Sequence, residues 1–536
     1  MQAFKILLAA ITLLGTAKLK AQTDTLSISL LQTADIHGQL DAHDELFVED
    51  GQLVFRERGG LAHIKTLFDR ERAKNPGRTL IVDSGDLIQG SGYAARSQGR
   101  IFPPIVREMG YDLLQPGNWE VVYGKDIMLE VMNAYNTNII VQNMKHEDSG
   151  EPLFAPYWTT EIEGIKLAFI GINDPDVPVR QNPSFSEGIA FNPINEEVKS
   201  LIREVQEKEK PAAVFLMTHI GIFKQVDLAN SEAASGVDYV LGSDTHERIR
   251  KPIRGKHAKV TEPGAFGSFV GKLTLHFVGG KLVGDDYELL EVDPQVYPAD
   301  PKVAALVEQA KAPWKEEMET VVGHSSTPLY RYLTVENPMD NMITDALRWK
   351  TGADIALSNG FRFGNPIVPK KGAAAPITRG DIYNMLPVND YVKTGKVSGQ
   401  QLLDWLEKEI HNVFAANPME RFGGWLVRFS GMEVTFVANA PRGQRVQEVR
   451  INGAPLQKQK TYSLATCVRP GDPDHALCRL HHATDVAVED YTLHQALEDY
   501  LKVHSPIAPR VDGRARATDL GPLPFSTVPG TNYEFR

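Results

Sequence analysis

The stretch SISLLQTADIH, residues 27–37, is an apolar run that breaks into a small residue, an aspartate and a histidine. Five further stretches repeat the design: RTLIVDSGD (78–86), TNIIVQNM (137–144), IKLAFIGIN (165–173), AAVFLMTHI (212–220) and VDYVLGSDTH (237–246). Each reads as a short β-rich strand running into a polar loop. Between them, GGLAHIKTLFDRERAK (59–74) and NEEVKSLIREVQEKEK (195–210) read as helices. Strands and helices alternating from about Thr25 to Val292 predict an α/β layered domain. In such sheets the loops at the carboxyl ends of the strands form the site, and four of the six runs end in Asp, His or both.

Working outward, residues 296–323 form a Pro-flanked, highly charged helix pattern that reads as a connector. Beyond it, NPMDNMITDALRWKTGADIALSNGFRFG (337–364) mixes helix and strand, and SGQQLLDWLEKEIHNVF (398–414) is a helix. FSGMEVTFVA, VQEVRING and TYSLATC follow as strands. The expected plan is a leader at 1–21, a catalytic domain at 22–295, a linker helix at 296–325, an α+β domain at 326–520 and a tail at 521–536. A length of 536 residues agrees with two domains.

The hydrophobic share of 42% and charged share of 23% are those of a globular chain. A formal charge of −11 and no basic stripe exclude a nucleic-acid polymer as the main partner. The first residues, MQAFKILLAAITLLGTAKLKAQ, predict a secretory leader and a periplasmic or secreted product. No later stretch approaches the roughly 20 apolar residues of a spanning helix, so no membrane insertion is expected after leader cleavage. Cys467 and Cys478 could form one disulfide or remain two thiols, and no thiol-activating motif surrounds them.

The chemistry-bearing groups are Asp35 and His37 in TADIHG, Asp86 in DSGD, Asn118 in PGNWE, His219 in THIG, and Asp244 and His246 in GSDTH. Three carboxylates, three imidazoles and one amide oxygen on neighbouring loops are what two metal ions sharing a bridging carboxylate require. The D-x-H spacing would place both ligands on one face of an extended segment.

These motifs resemble the metallophosphoesterase family, and specifically its two-domain 5′-nucleotidase branch. The family pattern D-x-H, GD, GNH-(D/E), H-x-G, GH-x-H is met by TADIHG, SGD, GNWE, HIG and GSDTH. NPMDNMITDALR, SNGFRFG and ITRGDIYNMLPVND extend the likeness into the second domain, over roughly 27–515. The resemblance implies a four-layer α/β sandwich followed by an α+β substrate-binding domain. It implies one metal on Asp35, His37, Asp86 and His246, and a second on Asp86, Asn118, His219 and Asp244. It assigns Asp86, Asn118 and Arg362 to catalysis, with Arg362 gripping the substrate anion and Asn359 beside it. Arg428 is a second anion candidate; a clear pair of aromatics in a Gly-rich base clamp is missing, and Phe422, Trp425 and Phe429 fit either that role or core packing. The implied reaction is hydrolysis of nucleotide phosphate monoesters, 5′-nucleotides first and cyclic nucleotides next, by metal-activated hydroxide.

Two positions depart from the pattern. Asp244 stands where the family has the first histidine of GH-x-H, which favours harder ions, so manganese is expected, with magnesium or zinc as alternatives. Trp119 replaces the histidine of GNHE, which in the family helps protonate the leaving oxygen. Losing a general acid matters for an alkoxide and little for a sulfur leaving group of low pKa. That agrees with a side branch of the family, the periplasmic thiosulfohydrolases, which cleave a sulfonate from a cysteine persulfide on a sulfur-carrier protein. A metal-retaining binding protein without catalysis is the third reading.

Overall fold

The computed structural model describes residues 25–536 except 195, 371, 422, 534 and 536. The leader expected at 1–21 lies outside these residues.

The apolar runs form two six-stranded sheets. In the first, Leu26–Thr33 pairs in parallel with Thr79–Asp83, which continues to Leu113–Leu114 and Asn138–Ile139. Phe269–Val278 and Lys281–Glu291 complete its other edge. In the second, Ala213–His219 lies between Ile165–Asn173 and Tyr239–Leu241, parallel to both. Tyr157–Ile162 closes one side of it, Lys259–Thr261 and Ile253–Arg254 the other.

The strands read as nearly continuous apolar runs because both faces are covered. Alternate residues serve different layers. Leu30, Val82, Phe169 and Phe215 fill a core between the sheets. Their neighbours Leu31 and Ile81 pack under Leu67, Phe68 and Phe102 on one outside. Ile170 and Leu216 pack under Val198, Ile202 and Leu228 on the other. The result is helix, sheet, sheet, helix, with the carboxyl ends of the parallel strands at one rim.

The charged pattern at 296–323 forms the helix Pro301–Lys311 and the short helix Lys315–Glu319. Asp300 caps the first, its side chain accepting from the Lys302 and Val303 N–H groups. Val303 and Val307 bury themselves in the first module's outer core, so the helix packs along its flank. The second module holds a five-stranded sheet in the order Arg428–Ser430, Ile355–Ser358, Thr461–Cys467, Tyr391–Ser398, Thr484–Thr492. Helices Pro338–Thr351, Gly399–Phe414 and Leu493–His504 cover it. Capping boxes start two of them, Ser398 with Gln401 and Thr492 with Gln495.

The Pro/Gly-rich stretch read as a tail returns to both modules. The Thr334 N–H donates to the Pro524 carbonyl at 2.7 Å, and the Tyr533 hydroxyl donates to Glu247 Oε2 at 2.5 Å. Cys467 and Cys478 are both free thiols, which decides between the two readings of that pair. Burial, then Cys478, pushes the Cys467 thiol up to about 12, which makes it a poor nucleophile. Among the described residues no helix is long and apolar enough to cross a membrane.

Candidate functional site

The strand-end residues converge at the rim. Asp35, His37 and His246 place ligand atoms within metal-binding reach of one another, and so do Asp35, Asp86 and His219. His219 Nε2 lies 3.0 Å from Asp86 Oδ2, and His37 Nε2 lies 3.7 Å from the same oxygen. Asp86 thus faces one imidazole of each group, while Asp35 is the carboxylate common to both, its Oδ1 lying 3.7 Å from His246 Nε2 and 3.9 Å from His37 Nε2 and His219 Nε2. All the predicted ligands are buried.

The expected extended geometry of the D-x-H segments is not what brings their ligands together. The first strand ends at Thr33, and Asp35 and His37 each have φ of 51°. Asp86, Asp244 and His246 have φ of 61°, 89° and 61°. These are left-handed values that non-glycine residues adopt at a cost, and they concentrate at functional sites. Two successive sharp turns, rather than the pleat of a strand, converge each pair. Gly117 permits the packing at the centre, because a Cβ there would meet Asp86 Oδ1 at 2.2 Å and the Asp86 nitrogen at 2.5 Å.

Outer partners fix the imidazoles. His37 Nδ1 is 3.0 Å from the Gln89 carbonyl, and His219 Nδ1 is 2.9 Å from that of Ser84. A carbonyl can only accept, so Nδ1 carries the hydrogen and the Nε2 lone pair faces inward, as a ligand's should. His37 Nε2 and His246 Nε2 face each other at 2.9 Å. Asn118 donates through Nδ2 to Asp244 Oδ1 at 2.9 Å, which leaves its Oδ1 buried with no partner.

The charge balance agrees. Burial, with His219 opposing and Asp86, Glu262 and Asp244 adding, holds the Asp35 carboxyl well above the ordinary range. Burial opposes charge on His219, yet Asp86, then Asp35 and Asp244, outweigh it and hold that imidazole well above its usual value. A divalent cation among these groups relieves the repulsion of the carboxylates without protons. The inward lone pairs, the orphaned Asn118 oxygen and the excess of carboxylates fit such ions.

Arg362 reaches this site from the second module. Its Nη1 donates to the Thr245 carbonyl at 2.9 Å and to Glu247 Oε1 at 3.1 Å. Its Nε and Nη2 are buried without partners. Asp86, Asn118, Trp119, Asp244, Asn359 and Arg362 all border one cavity. Asn359 is turned partly away, its Oδ1 accepting from the Cys478 thiol at 3.3 Å.

Arg428 and Phe429 are not in the cavity wall, contrary to expectation. Arg428 Nη1 and Nη2 donate to the Thr334 and Leu333 carbonyls, both at 2.9 Å, and its Nε lies 3.0 Å from Asp340 Oδ2. Phe429 packs in the core with Trp405 and Leu426. Both lie in the strand Arg428–Ser430, paired with Ile355–Ser358, and point to its opposite faces, one into the polar contacts of Asp340 and the other into the core. Trp425 does border the cavity, with the Arg362 guanidinium 5.4 Å from its ring centre. Phe422 lies outside the described residues.

Four residues were not anticipated. Glu120, within GNWE, accepts N–H bonds from Gly117 at 2.6 Å, Leu87 at 2.7 Å and Asp86 at 2.9 Å, clamping two ligand loops together. Burial and Asp86 push its carboxyl up to about 7. Tyr533 and Phe535 brace the opposite wall: Tyr533 holds the Glu247 oxygen that Arg362 leaves, and Phe535 lies under Arg362, 5.4 Å from its guanidinium. Arg180, the last residue of the short helix Val177–Arg180 and part of no motif, grips Asp244 through Nη1 to Oδ2 at 3.0 Å and Nη2 to Oδ1 at 2.9 Å. It also contacts Asp174, which Lys224 meets from the other side at 3.1 Å.

Asp244 paired with Arg180 thus presents the net charge of the neutral histidine it replaces. Arg180→Leu is expected to destabilise the metal-free protein by about 3–5 kcal/mol, because it strands a buried carboxylate. Added manganese should restore much of that in urea unfolding. An equal loss with and without manganese would mean that Asp244 never meets the metal.

Residues 28–248 match the calcineurin-like phosphoesterase family, and 321–467 match the 5′-nucleotidase C-terminal domain. A 5′-nucleotidase of Vibrio cholerae is 24% identical over 94% of this chain and 96% of its own length. The chain spans 33% and 37% of the length of two longer Bacillus subtilis relatives. Among solved structures, Thermus thermophilus sulfate thiohydrolase SoxB superposes with a TM-score of 0.84 at 22% identity, covering 94% of this chain and 98% of that one. A 5′-nucleotidase precursor from the same species gives 0.79 at 23%, covering 92% and 100%. Both share the fold of this chain.

Proposed function

Because the chain belongs to the calcineurin-like phosphoesterases that carry a 5′-nucleotidase C-terminal domain, a family of metal-dependent phosphoester hydrolases, we propose that it hydrolyses nucleotide phosphate monoesters. 5′-Nucleotides are the first substrates and cyclic nucleotides the next. One ion is assigned to Asp35, His37, Asp86 and His246, and a second to Asp86, Asn118, His219 and Asp244, with manganese as the expected metal. When bound, two such ions supply a hydroxide near neutral pH and neutralise charge on the attacked group.

The observation that carries this reading is the buried Arg362, which borders the same cavity as candidate ligands and whose Nε and Nη2 have no partner among the described residues. A guanidinium offering two parallel N–H donors suits the paired oxygens of a phosphoryl group. Glu247 and the Thr245 carbonyl hold it in place, so little orientation is lost when the anion arrives. Trp119 excludes water from one side and has no proton to give to the leaving oxygen.

Trp119 favours a second reading, cleavage of an S-sulfonate on a sulfur-carrier protein, since a thiolate leaves without an acid. The apolar run at 6–17 supports export to the periplasm or medium. The test sets AMP, a cyclic nucleotide, an aryl phosphate and a protein-bound S-sulfonate beside one another with manganese-loaded protein. Phosphate release from AMP is expected. Turnover of the S-sulfonate alone would replace the first reading by the second.

A further inference from the structure

Next to the ligand cavity lies a second chamber at the junction of the two modules. Trp119, Arg180, Gln181, Asn359 and Phe361 border both spaces, so the two adjoin. The far wall of the second is largely apolar, with Leu357, Leu386, Val388 and Leu493. Its polar groups are nearly all committed. Arg180 holds Asp174 and Asp244, Asp390 Oδ2 accepts from Asn182 at 3.4 Å, and Cys467 keeps its proton. Arg469 donates to the Gln181 carbonyl at 2.7 Å and pairs with Asp472 at 3.6 Å.

Gln181 is the exception. The residue is only 5% exposed, yet among the described residues neither Oε1 nor Nε2 has a partner. Burying such groups unpaired is unfavourable, so a ligand that pairs with them is favoured. Its main chain is fixed at both ends, the N–H donating to the Val177 carbonyl at 3.0 Å and the carbonyl accepting from Arg469. A carboxamide held this way offers one acceptor beside a pair of donors.

We infer that Gln181 reads the edge of a nucleobase seated in this chamber, an inference that rests on the nucleotide reading of the adjoining site. The ligand must be mostly flat and apolar, to suit a wall of aliphatic side chains and the rings of Trp119 and Phe361. It must also present a donor next to an acceptor. The Watson–Crick edge of a base does so, with the adenine amino group beside N1 and the uracil N3–H beside O4. Turning the carboxamide over exchanges its donor and acceptor, so one glutamine serves either order. Broad acceptance of bases follows, with discrimination against leaving groups that have no base.

The test compares manganese-loaded wild-type, Gln181→Leu and Gln181→Glu proteins on AMP, UMP and ribose 5-phosphate. Gln181→Leu is expected to raise KM for AMP and UMP about 10-fold, as the loss of two modest hydrogen bonds would, and to leave ribose 5-phosphate unchanged. Gln181→Glu keeps the shape but exchanges the two donors for a second acceptor and adds a charge, so a larger rise on the nucleotides than on ribose 5-phosphate is expected, and that ratio decides the matter if the leucine variant fails to fold. An equal change on all three substrates, or none on the nucleotides, overturns the inference. Adenosine binding by calorimetry separates this from failure of the nucleotidase reading. If the wild-type protein binds adenosine and Gln181→Leu does not, the chamber is a base site whichever ester is cleaved; if wild-type protein binds no adenosine, the inference falls.

Discussion

Asp86→Ala is expected to remove metal from both positions and to lower kcat/KM by at least about 10³-fold. The size follows from the several kcal/mol of charge stabilisation that bound metal supplies, at about 1.4 kcal/mol per decade of rate. The proposed assignment makes Asp86 the shared group, and its Oδ2 faces His37 Nε2 at 3.7 Å and His219 Nε2 at 3.0 Å. The change should act on chemistry rather than on folding. Glu120 holds the loop through the main-chain N–H groups of Asp86 and Leu87, which alanine retains. Metal content by mass spectrometry and steady-state rates on an aryl phosphate check it. Asn118→Ala should differ by losing metal from one position only. Full metal content and full rate in Asp86→Ala would remove the bridging role.

The convergence of those candidate ligands at one rim was legible in the sequence for a physical reason. A strand buried on both faces must be apolar along its length, so the polar residues that end SISLLQTADIH or AAVFLMTHI stand out against it. Parallel strands then carry those ends to one rim. Other features leave no such trace. Nothing in D-x-H distinguishes a pleated pair from the left-handed turns that Asp35 and His37 adopt, because aspartate and histidine tolerate both. Arg180 is one arginine at the end of a short helix, Val177–Arg180, and its relation to Asp244, 64 positions away, exists only once the second sheet brings the two segments together. Arg428 follows a glycine-rich turn much as Arg362 does, yet the strand Arg428–Ser430 binds its neighbour and carries Arg428 toward Asp340. The tail shows the limit of composition most plainly. Proline and glycine mark it as irregular, but Tyr533 and Phe535 give it two anchors that composition cannot place.

Trp119→His is expected to raise the rate on AMP relative to an aryl phosphate by about 10²- to 10⁴-fold, the usual contribution of a general acid. The indole of Trp119 stands edge-on to Phe361 and Phe363, with ring centres 6.0 and 5.5 Å apart. An imidazole is smaller and leaves part of that niche unfilled, so some stability should be lost. Comparing two substrates on the same protein cancels that loss, because the folded fraction enters both rates alike. The main-chain N–H of residue 119 donates to Asp86 Oδ1 at 2.7 Å, and the substitution does not touch it. The bridging carboxylate therefore keeps its orientation, and the comparison isolates the side chain. A nitrophenolate leaves without help, whereas the 5′-oxygen of ribose needs a proton as its bond to phosphorus breaks. An S-sulfonate resembles the aryl ester in this respect, because its thiolate departs unprotonated, and its rate should not rise with the imidazole. A gain confined to AMP would mean that residue 119 selects the leaving group. An unchanged ratio would mean that the proton comes from elsewhere in the cavity, and that the tryptophan is there for its bulk.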